Sequence, residues 1–170
     1  MQRLFFALWP DEVVRRELIR VQQRLQVAGS RPVQAQNFHL TLVFLGPIAP
    51  GTQQAVEAEV ANVRLPGFVL TLDSAGWWRG PRITWLAAQH TPEPLTSLHN
   101  ALQRGCKRHT AVEMRPFKPH VTMVRKVTAE LNRHDSFSIP WQVTEFCLVE
   151  SITDSDGVIY RVIKRWPLDT

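Results

Sequence analysis

Two short stretches of the chain each place an imidazole and a hydroxyl inside an otherwise apolar segment. The stretches "FHLTLVFLG" and "PHVTMVRK" both have the pattern His-apolar-Thr-apolar-Val, with His39 and Thr41 in the first and His120 and Thr122 in the second. Side chains alternate faces along a β-strand, so each His and its Thr would share one face at a separation of roughly 7 Å. The opposite face of each strand would then serve the core.

Two such pairs facing one another suit proton transfer at a phosphoryl group. Histidine has an unperturbed pKa of about 6.5, so a pair can hold one neutral and one protonated ring near neutral pH. The neutral ring can take a proton from a nucleophile while the protonated ring gives one to a leaving group. The threonine hydroxyls can hold the non-bridging phosphoryl oxygens. This set predicts in-line phosphodiester transfer without a metal, and it leaves open which histidine is the acid.

The duplication of the motif carries more information than either copy alone. A single His-x-Thr is most often only a hydrogen-bonded histidine. Here the two histidines lie 120 − 39 = 81 positions apart, about half the chain of 170 residues. This spacing is expected of two similar lobes that each contribute one motif. A two-histidine metal site is the alternative, but neither His has a carboxylate or Cys at ligand spacing, so we predict no metal.

Apolar patterning predicts strands and helices in mixed order. We expect strands over 3–10, 38–45, 68–72, 83–88, 117–126, 138–143, 145–151 and 158–166, and helices over 12–27, from residue 50 and over 91–109. The turn-rich "DSAGWWRGPR" is interpreted as a long loop. Without strict alternation of strand and helix, the pattern favours an α+β fold with antiparallel or mixed sheets. No linker divides the chain, so residues 1–170 form a single predicted domain.

The predicted helices have one apolar face each. Asp11 is placed to cap the first helix, and the residues on its apolar face would be Val14, Leu18, Val21 and Leu25. In the third helix, the same spacing groups the leucines at 95, 98 and 102.

Composition restricts the class of partner and the compartment. The net charge of +5 and the pI of about 9.9 suit an anionic partner. Cys106 and Cys147 form no CxxC pair and are too few for a disulfide scaffold. No apolar stretch approaches the roughly 20 residues of a membrane span. We therefore expect a cytoplasmic protein that does not bind a membrane.

With these motifs in place, the chain resembles the two-histidine phosphoesterase superfamily. More closely, it resembles the bacterial RNA 2′,3′-cyclic phosphodiesterases, also called the LigT-like or 2′-5′ RNA ligase family. The opening "RLFFAL" and the closing "VTEFCLVES" also fall where that family has them. The resemblance therefore covers nearly the whole chain.

The resemblance implies a bilobal α+β protein whose two similar lobes carry helices on their outer faces and one H-x-T-x strand each in a central cleft. It implies hydrolysis of the 2′,3′-cyclic phosphate at RNA ends to a 2′-phosphate, with 2′-5′ RNA ligation as the reverse step in some members. Within the catalytic pairs His39–Thr41 and His120–Thr122, it makes His39 the proton donor and His120 the proton acceptor. It implies no cofactor, and its partners are RNA ends or nucleotides that carry a 2′,3′-cyclic phosphate.

Three further side chains are candidates for substrate binding. Arg125 could pair with phosphate, but strict alternation puts it on the face opposite His120, so it would need a β-bulge or a strand end to reach the cleft. Strict alternation likewise puts Phe44 on the face opposite His39, so Phe44 is predicted to lie in the core. Trp77 or Trp78 could stack on an RNA base, and packing between the lobes is the alternative for both.

The remaining histidines lack a Thr partner. His90, His99, His109 and His134 are predicted surface residues. The rival to the enzyme is an RNA-end binding protein on the same scaffold that turns over slowly or not at all. Because one chain would contain the whole site, we expect a monomer.

Overall fold

The computed structural model describes residues 1–129, 136–155 and 157–170. Its helices are α1 (Glu12–Leu25), α2 (Pro50–Val60) and α3 (Glu93–Lys107), with a short 3₁₀ turn at Ala35–Asn37. Its strands are β1 (Gln2–Leu8), β2 (Arg31–Pro32), β3 (Leu40–Ile48), β4 (Phe68–Leu72), β5 (Ser74–Trp78), β6 (Ile83–Ala87), β7 (Val121–Arg125), β8 (Ile139–Val143), β9 (Glu145–Asp154) and β10 (Gly157–Pro167).

Antiparallel pairing organises the described strands. The main sheet has the order β10-β9-β1-β3-β7-β6-β5, and β2 also pairs with β7. Strands β4 and β8 form a separate two-stranded sheet. Antiparallel ladders together with few helices confirm the predicted α+β class. No helix of the described residues has the length and apolar character needed to cross a membrane.

The helices pack by the faces that the sequence predicts. The Asp11 carboxylate accepts a hydrogen bond from the Val14 N–H at 2.8 Å and caps α1. The predicted apolar residues of α1 are buried, as are Leu95, Leu98 and Leu102 of α3. Helix α1 packs against β7, and α3 packs against β3. The two strands that carry the motifs are thus each backed by a helix.

The prediction of a long loop at residues 73–82 was wrong. Residues 74–78 form β5, which pairs with β6 in a hairpin that turns at residues 79–82. Gly76 lies opposite Trp85, and a Cβ on Gly76 would come within 2.2 Å of the indole ring. The glycine that reads as a loop signal is needed because the Trp85 ring lies against the strand.

The second motif strand begins later than predicted. Residues 117–120 precede β7, which starts at Val121. Pro116 precedes this segment and Pro119 lies within it, and proline has no N–H to donate to a ladder. The first motif strand likewise starts at Leu40, directly after His39. Both motif histidines therefore stand at the entrance of their strands.

Both motif strands contain β-bulges. On β3, Thr41 and Val43 face consecutive residues of β1, so Leu42 is an extra residue, and a second shift follows at position 45. On β7, Thr122 and Val124 face consecutive residues of β6, which leaves the residue at position 123 unmatched. A bulge reverses the alternation of side chains beyond it. Regular alternation would place Val43 on the face of His39, but Val43 is buried, as is its neighbour Leu42.

Candidate active site

The two motifs meet where the halves of the main sheet join. Strands β3 and β7 pair at Leu40 and Val121. The antiparallel register, continued by one residue in each direction, sets His39 beside Thr122 and Thr41 beside His120. In this arrangement the two histidines occupy opposite corners of a square and the two threonines the other corners. Directly opposite residues share a face, so all four side chains point to the same side of the sheet.

A cavity of about 930 Å³ lies on that side of the sheet, and we call it the cleft. Its lining includes the four motif side chains and Arg125. Both imidazoles and both hydroxyls thus open into one space that is large enough for a nucleotide.

The His39 ring is fixed by its backbone neighbour and by aromatic rings. Its Nδ1 lies 2.7 Å from the Asn37 carbonyl oxygen. The ring stacks against Trp9 at 5.8 Å and meets the edge of Tyr160 at 4.8 Å, with Phe5 at 5.0 Å on another side. These contacts leave the imidazole one orientation.

The same segment is tied to β10 through Asn37. Asn37 is buried, and its side-chain amide donates to the Val158 carbonyl at 2.9 Å. Its side-chain oxygen accepts from the Tyr160 N–H at 3.3 Å. No local pattern identifies this residue, because its role depends on a strand more than 120 positions away.

The His120 ring is held in a matching way but is less enclosed. Its Nδ1 lies 2.7 Å from the Lys118 carbonyl oxygen, two residues earlier, as in the first motif. Trp78 meets the ring at 4.5 Å in a T-shaped contact.

These hydrogen bonds determine which ring nitrogen can exchange protons. A carbonyl oxygen only accepts, so Nδ1 of each ring carries hydrogen and donates. In the neutral form, Nε2 is then the unprotonated nitrogen. Each imidazole can therefore act as a base through Nε2 and, once protonated there, as an acid.

Burial makes both imidazoles poor cations. It lowers the pKa of His39 from 6.5 to about 4, against the opposing effect of the Asn37 carbonyl. The charges of His120 and Arg125 lower this pKa further. The pKa of His120 is also lowered, first by burial and then by Arg125, against the Lys118 carbonyl. An anion bound between them would oppose these effects and favour protonation.

Arg125 reaches the cleft because of the bulge on β7. Met123 and Val124 are both buried, so the alternation reverses between Thr122 and Arg125. Arg125 is exposed, lines the cleft and lowers the pKa of both histidines. Regular alternation predicts that Arg125 needs a bulge or a strand end to reach the cleft, and the structure has the bulge.

Phe44 differs from its prediction for the same reason. It was predicted to be core, but its side chain is 54% exposed and lines the cleft. The bulge at Leu42 turns it outward, so Phe44 stands three residues after Thr41 as Arg125 stands three residues after Thr122. The inserted residue is set by pairing with β1, which the local sequence does not reveal.

The two adjacent tryptophans have different surroundings. Trp78 lines the cleft. Trp77 packs against the main core, and its indole N–H donates to the Val127 carbonyl at 3.3 Å. The structure therefore brings only Trp78 of this pair to the site.

The other histidines lie away from the cleft centre. His90 and His109 are exposed, as predicted, and His134 is outside the described residues. The prediction was wrong for His99, which is buried at 8% exposure. Its Nδ1 bonds the Leu42 carbonyl at 2.8 Å, a contact that the helical position alone does not indicate.

Further arginines line the cleft that were not assigned to it from sequence. Arg3 and Arg115 join Arg125 there, with Glu113 as an acidic neighbour that pairs with Arg115. The excess of cations suits an anionic ligand. Within the described part of the chain, no group of three or more His, Cys, Asp or Glu side chains could hold a metal ion.

Comparison with known proteins identifies the family of this chain. Residues 9–155 match the model of the 2′-5′ RNA ligase superfamily. The chain is 35% identical to an RNA 2′,3′-cyclic phosphodiesterase of Escherichia coli, over 98% of this chain and 97% of the relative. It superposes on E. coli LigT in apo form with a TM-score of 0.92, 35% identity and coverage of 99% and 98%. For E. coli LigT complexed with 3′-AMP the TM-score is 0.89, with 34% identity and coverage of 99% and 98%. The resemblance drawn from the two motifs is confirmed.

Proposed function

Because the chain belongs to the 2′-5′ RNA ligase superfamily, we propose that its cleft is the active site of an RNA 2′,3′-cyclic phosphodiesterase. The observation that carries the proposal is the convergence of two imidazoles and two threonines on one cavity. The substrates are RNA ends or nucleotides with a 2′,3′-cyclic phosphate, and the product is the 2′-phosphate with a free 3′-hydroxyl.

The reaction uses one histidine on each side of the phosphorus. Nε2 of neutral His120 takes a proton from water as the water oxygen attacks phosphorus. The bond from phosphorus to the 3′ oxygen breaks, and Nε2 of protonated His39 gives its proton to that oxygen. Both rings then return to their starting states by exchange with solvent. If an RNA 5′-hydroxyl attacked phosphorus in place of water, the same bond to the 3′ oxygen would break and a 2′-5′ linkage would form.

The surroundings of the two rings support this assignment. Among the described residues, one aromatic ring, Trp78, contacts His120, whereas three enclose His39, so water has easier access to His120. The enclosed His39 is protonated when the phosphate anion is bound, because an adjacent negative charge favours the cationic ring.

The polar groups of the cleft hold the phosphate. The hydroxyls of Thr41 and Thr122 donate to the non-bridging oxygens, where negative charge develops in the transition state. The Arg125 guanidinium offers two parallel N–H donors to the same group. This chemistry requires no metal, since acid, base and charge stabilisation all come from side chains.

Two aromatic side chains suit the nucleobase. Phe44 is 54% exposed and lines the cleft, and Trp78 lines it from the side of His120. RNA-binding proteins stack unpaired bases on such rings. Relatives of known structure include LigT complexed with 3′-AMP, a nucleotide of the size proposed here.

The remaining expectations form part of the same proposal. Each half of the chain supplies one motif strand, in two pseudo-symmetric lobes of one domain, and the matching bulges on β3 and β7 support this view. A complete site within one chain supports a monomer. Cys106 and Cys147 are buried free thiols, which fits a reducing cytoplasm.

Turnover of a nucleoside 2′,3′-cyclic phosphate by His39→Ala and His120→Ala tests the function. Each substitution should lower kcat by about 10²- to 10⁴-fold, the usual contribution of one general acid or base. Circular dichroism should show an unchanged fold, and His90→Ala, an exposed histidine, is the matched control. The product should be only the 2′-monophosphate by phosphorus NMR, and EDTA should leave the rate unchanged.

The rival function gives a different outcome. Near-parental activity in both histidine variants would refute the acid–base mechanism. Negligible turnover by the parent, with retained binding of RNA that ends in a cyclic phosphate, would instead identify an RNA-end binding protein.

A further inference from the structure

The bulge at Leu42 on β3 and the bulge at Met123 on β7 each have a carbonyl that is hydrogen-bonded by a buried polar side chain of a helix. On β3, the Leu42 carbonyl accepts a hydrogen bond from Nδ1 of His99 in α3, at 2.8 Å. On β7, the Met123 carbonyl accepts one from Nε2 of Gln22 in α1, at 2.6 Å. The two bulges are thus anchored in the same way by two different helices.

Gln22 donates to two backbone carbonyls at once. Its amide also donates to the Val33 carbonyl at 2.9 Å, and the Val33 N–H donates to the Met123 carbonyl at 2.9 Å. The residue is 6% exposed on the buried face of α1. This amide therefore fixes the bulged carbonyl relative to the helix.

His99 has an equally defined position. It is 8% exposed, and its ring stacks on Phe117 with centroids 3.9 Å apart and planes at 5°. The stacking orients the imidazole so that Nδ1 points at the Leu42 carbonyl. Within the described residues, β3 and β7 pair only at Leu40 and Val121, so β7 does not bond the Leu42 carbonyl. Helix α3 packs against β3 and supplies the donor instead.

A polar side chain on an apolar helix face needs a physical reason. Burial of an amide or imidazole costs free energy unless its groups are hydrogen-bonded, whereas leucine at the same position would carry no such cost. Here the bonded partner is, in both helices, the carbonyl of the one residue that reverses the strand alternation. Without the bulge, alternation from Thr122 would direct Arg125 toward the core, and alternation from Thr41 would do the same to Phe44.

We infer that Gln22 and His99 are positioning residues of the active site, which hold the bulges and so keep Arg125 and Phe44 turned into the cleft. Gln22 acts on phosphate binding through Arg125. His99 acts on nucleobase binding through Phe44. The second statement rests on the proposed function, and the first applies to any phosphate ligand.

Double-mutant cycles test the Gln22 arm with inorganic phosphate as the probe. Arg125→Met should weaken phosphate binding by about 10- to 100-fold, as for a lost charge-assisted hydrogen bond. Gln22→Met, similar in shape but without donors, should weaken it by about 2- to 10-fold. In the double variant the second loss should disappear, because Gln22 acts only through Arg125. Gln23→Met, exposed on the same helix, should leave binding unchanged.

The role of His99 is tested by measuring KM for a nucleoside 2′,3′-cyclic phosphate. Phe44→Ala should raise KM by about 5- to 100-fold, the range for a lost base stack. His99→Leu should raise it by about 2- to 10-fold, and the double variant should match Phe44→Ala alone. If His99→Leu does not fold, His99→Asn is used, whose side-chain amide can still donate to the Leu42 carbonyl and should keep KM near the parental value.

Crossed pairs separate positioning from a purely structural role. Gln22→Met combined with Phe44→Ala, and His99→Leu combined with Arg125→Met, should give effects that multiply, because different side chains are moved. If the matched pairs also multiply, or if Gln22→Met behaves like Gln23→Met, the inference is wrong. Should the parent fail to hydrolyse cyclic phosphates, the phosphate-binding cycle alone still decides the Gln22 arm.

Discussion

The low pKa of His39 predicts a measurable dependence of stability on pH. The folded chain holds this imidazole at a pKa of about 4, whereas the unfolded chain restores about 6.5. Between these values the unfolded state binds a proton that the folded state does not, so the free energy of unfolding falls as the pH falls. At 1.36 kcal/mol per pKa unit, the full difference is about 3 kcal/mol, and about 2 kcal/mol of it is lost between pH 7 and pH 5.

The perturbation that isolates this contribution is His39→Asn. Asparagine does not titrate, and its side-chain amide can replace Nδ1–H as the donor to the Asn37 carbonyl. Urea unfolding at pH 7 and pH 5 gives the loss of stability for each protein, and comparison of the losses cancels the direct cost of the substitution. The parent should lose about 2 kcal/mol more than the variant over this range.

An exposed histidine provides the control for the effect of His39 on stability. His90→Asn replaces an exposed histidine away from the cleft, and its loss between pH 7 and pH 5 should equal that of the parent. If His39→Asn also loses as much as the parent, the folded ring is not held neutral by burial, and the electrostatic picture of the site fails.

Two further predictions concern the rate and the core. The plot of kcat/KM against pH should be bell-shaped, with its maximum between about pH 4 and pH 6.5. The reason is that the pKa of His39 is lowered to about 4 and the pKa of His120 is lowered below its usual value. A plateau that extends above pH 7 would contradict this prediction. Gly76→Ala should lower stability by about 1–3 kcal/mol, because the new Cβ would come within 2.2 Å of the Trp85 ring. Gly80→Ala, where nothing lies within 4 Å, should change thermal unfolding little, and equal losses in both variants would show that the Trp85 contact is not tight.

The candidate catalytic groups could be predicted from the sequence because their signal is local. His39 and Thr41 are separated by one strand period, and the same pair occurs again at His120 and Thr122. The apolar faces of α1 and α3 follow from helical spacing in the same manner. Each of these features depends on residues within a few positions of one another.

The side chains around the candidate catalytic groups depend on contacts between residues that are far apart in the sequence. Phe44 was assigned to the core and His99 to the surface because each assignment assumed regular alternation or an exposed helix position. Gly76 suggested a loop because the ring of Trp85, which requires it, comes from the neighbouring strand. In each case a partner far along the sequence overrides the local preference.

Local patterns were enough to predict the α+β class and the candidate catalytic groups, since strand and helix periods and a duplicated motif are properties of short segments. The direction of the side chains beyond each motif depends instead on contacts between segments that are distant in the chain. One extra residue on β3 and one on β7 turn Phe44 and Arg125 into the cleft, and these bulges are stable only where strands β1 and β6 pair with them and the buried donors Gln22 and His99 hold their carbonyls.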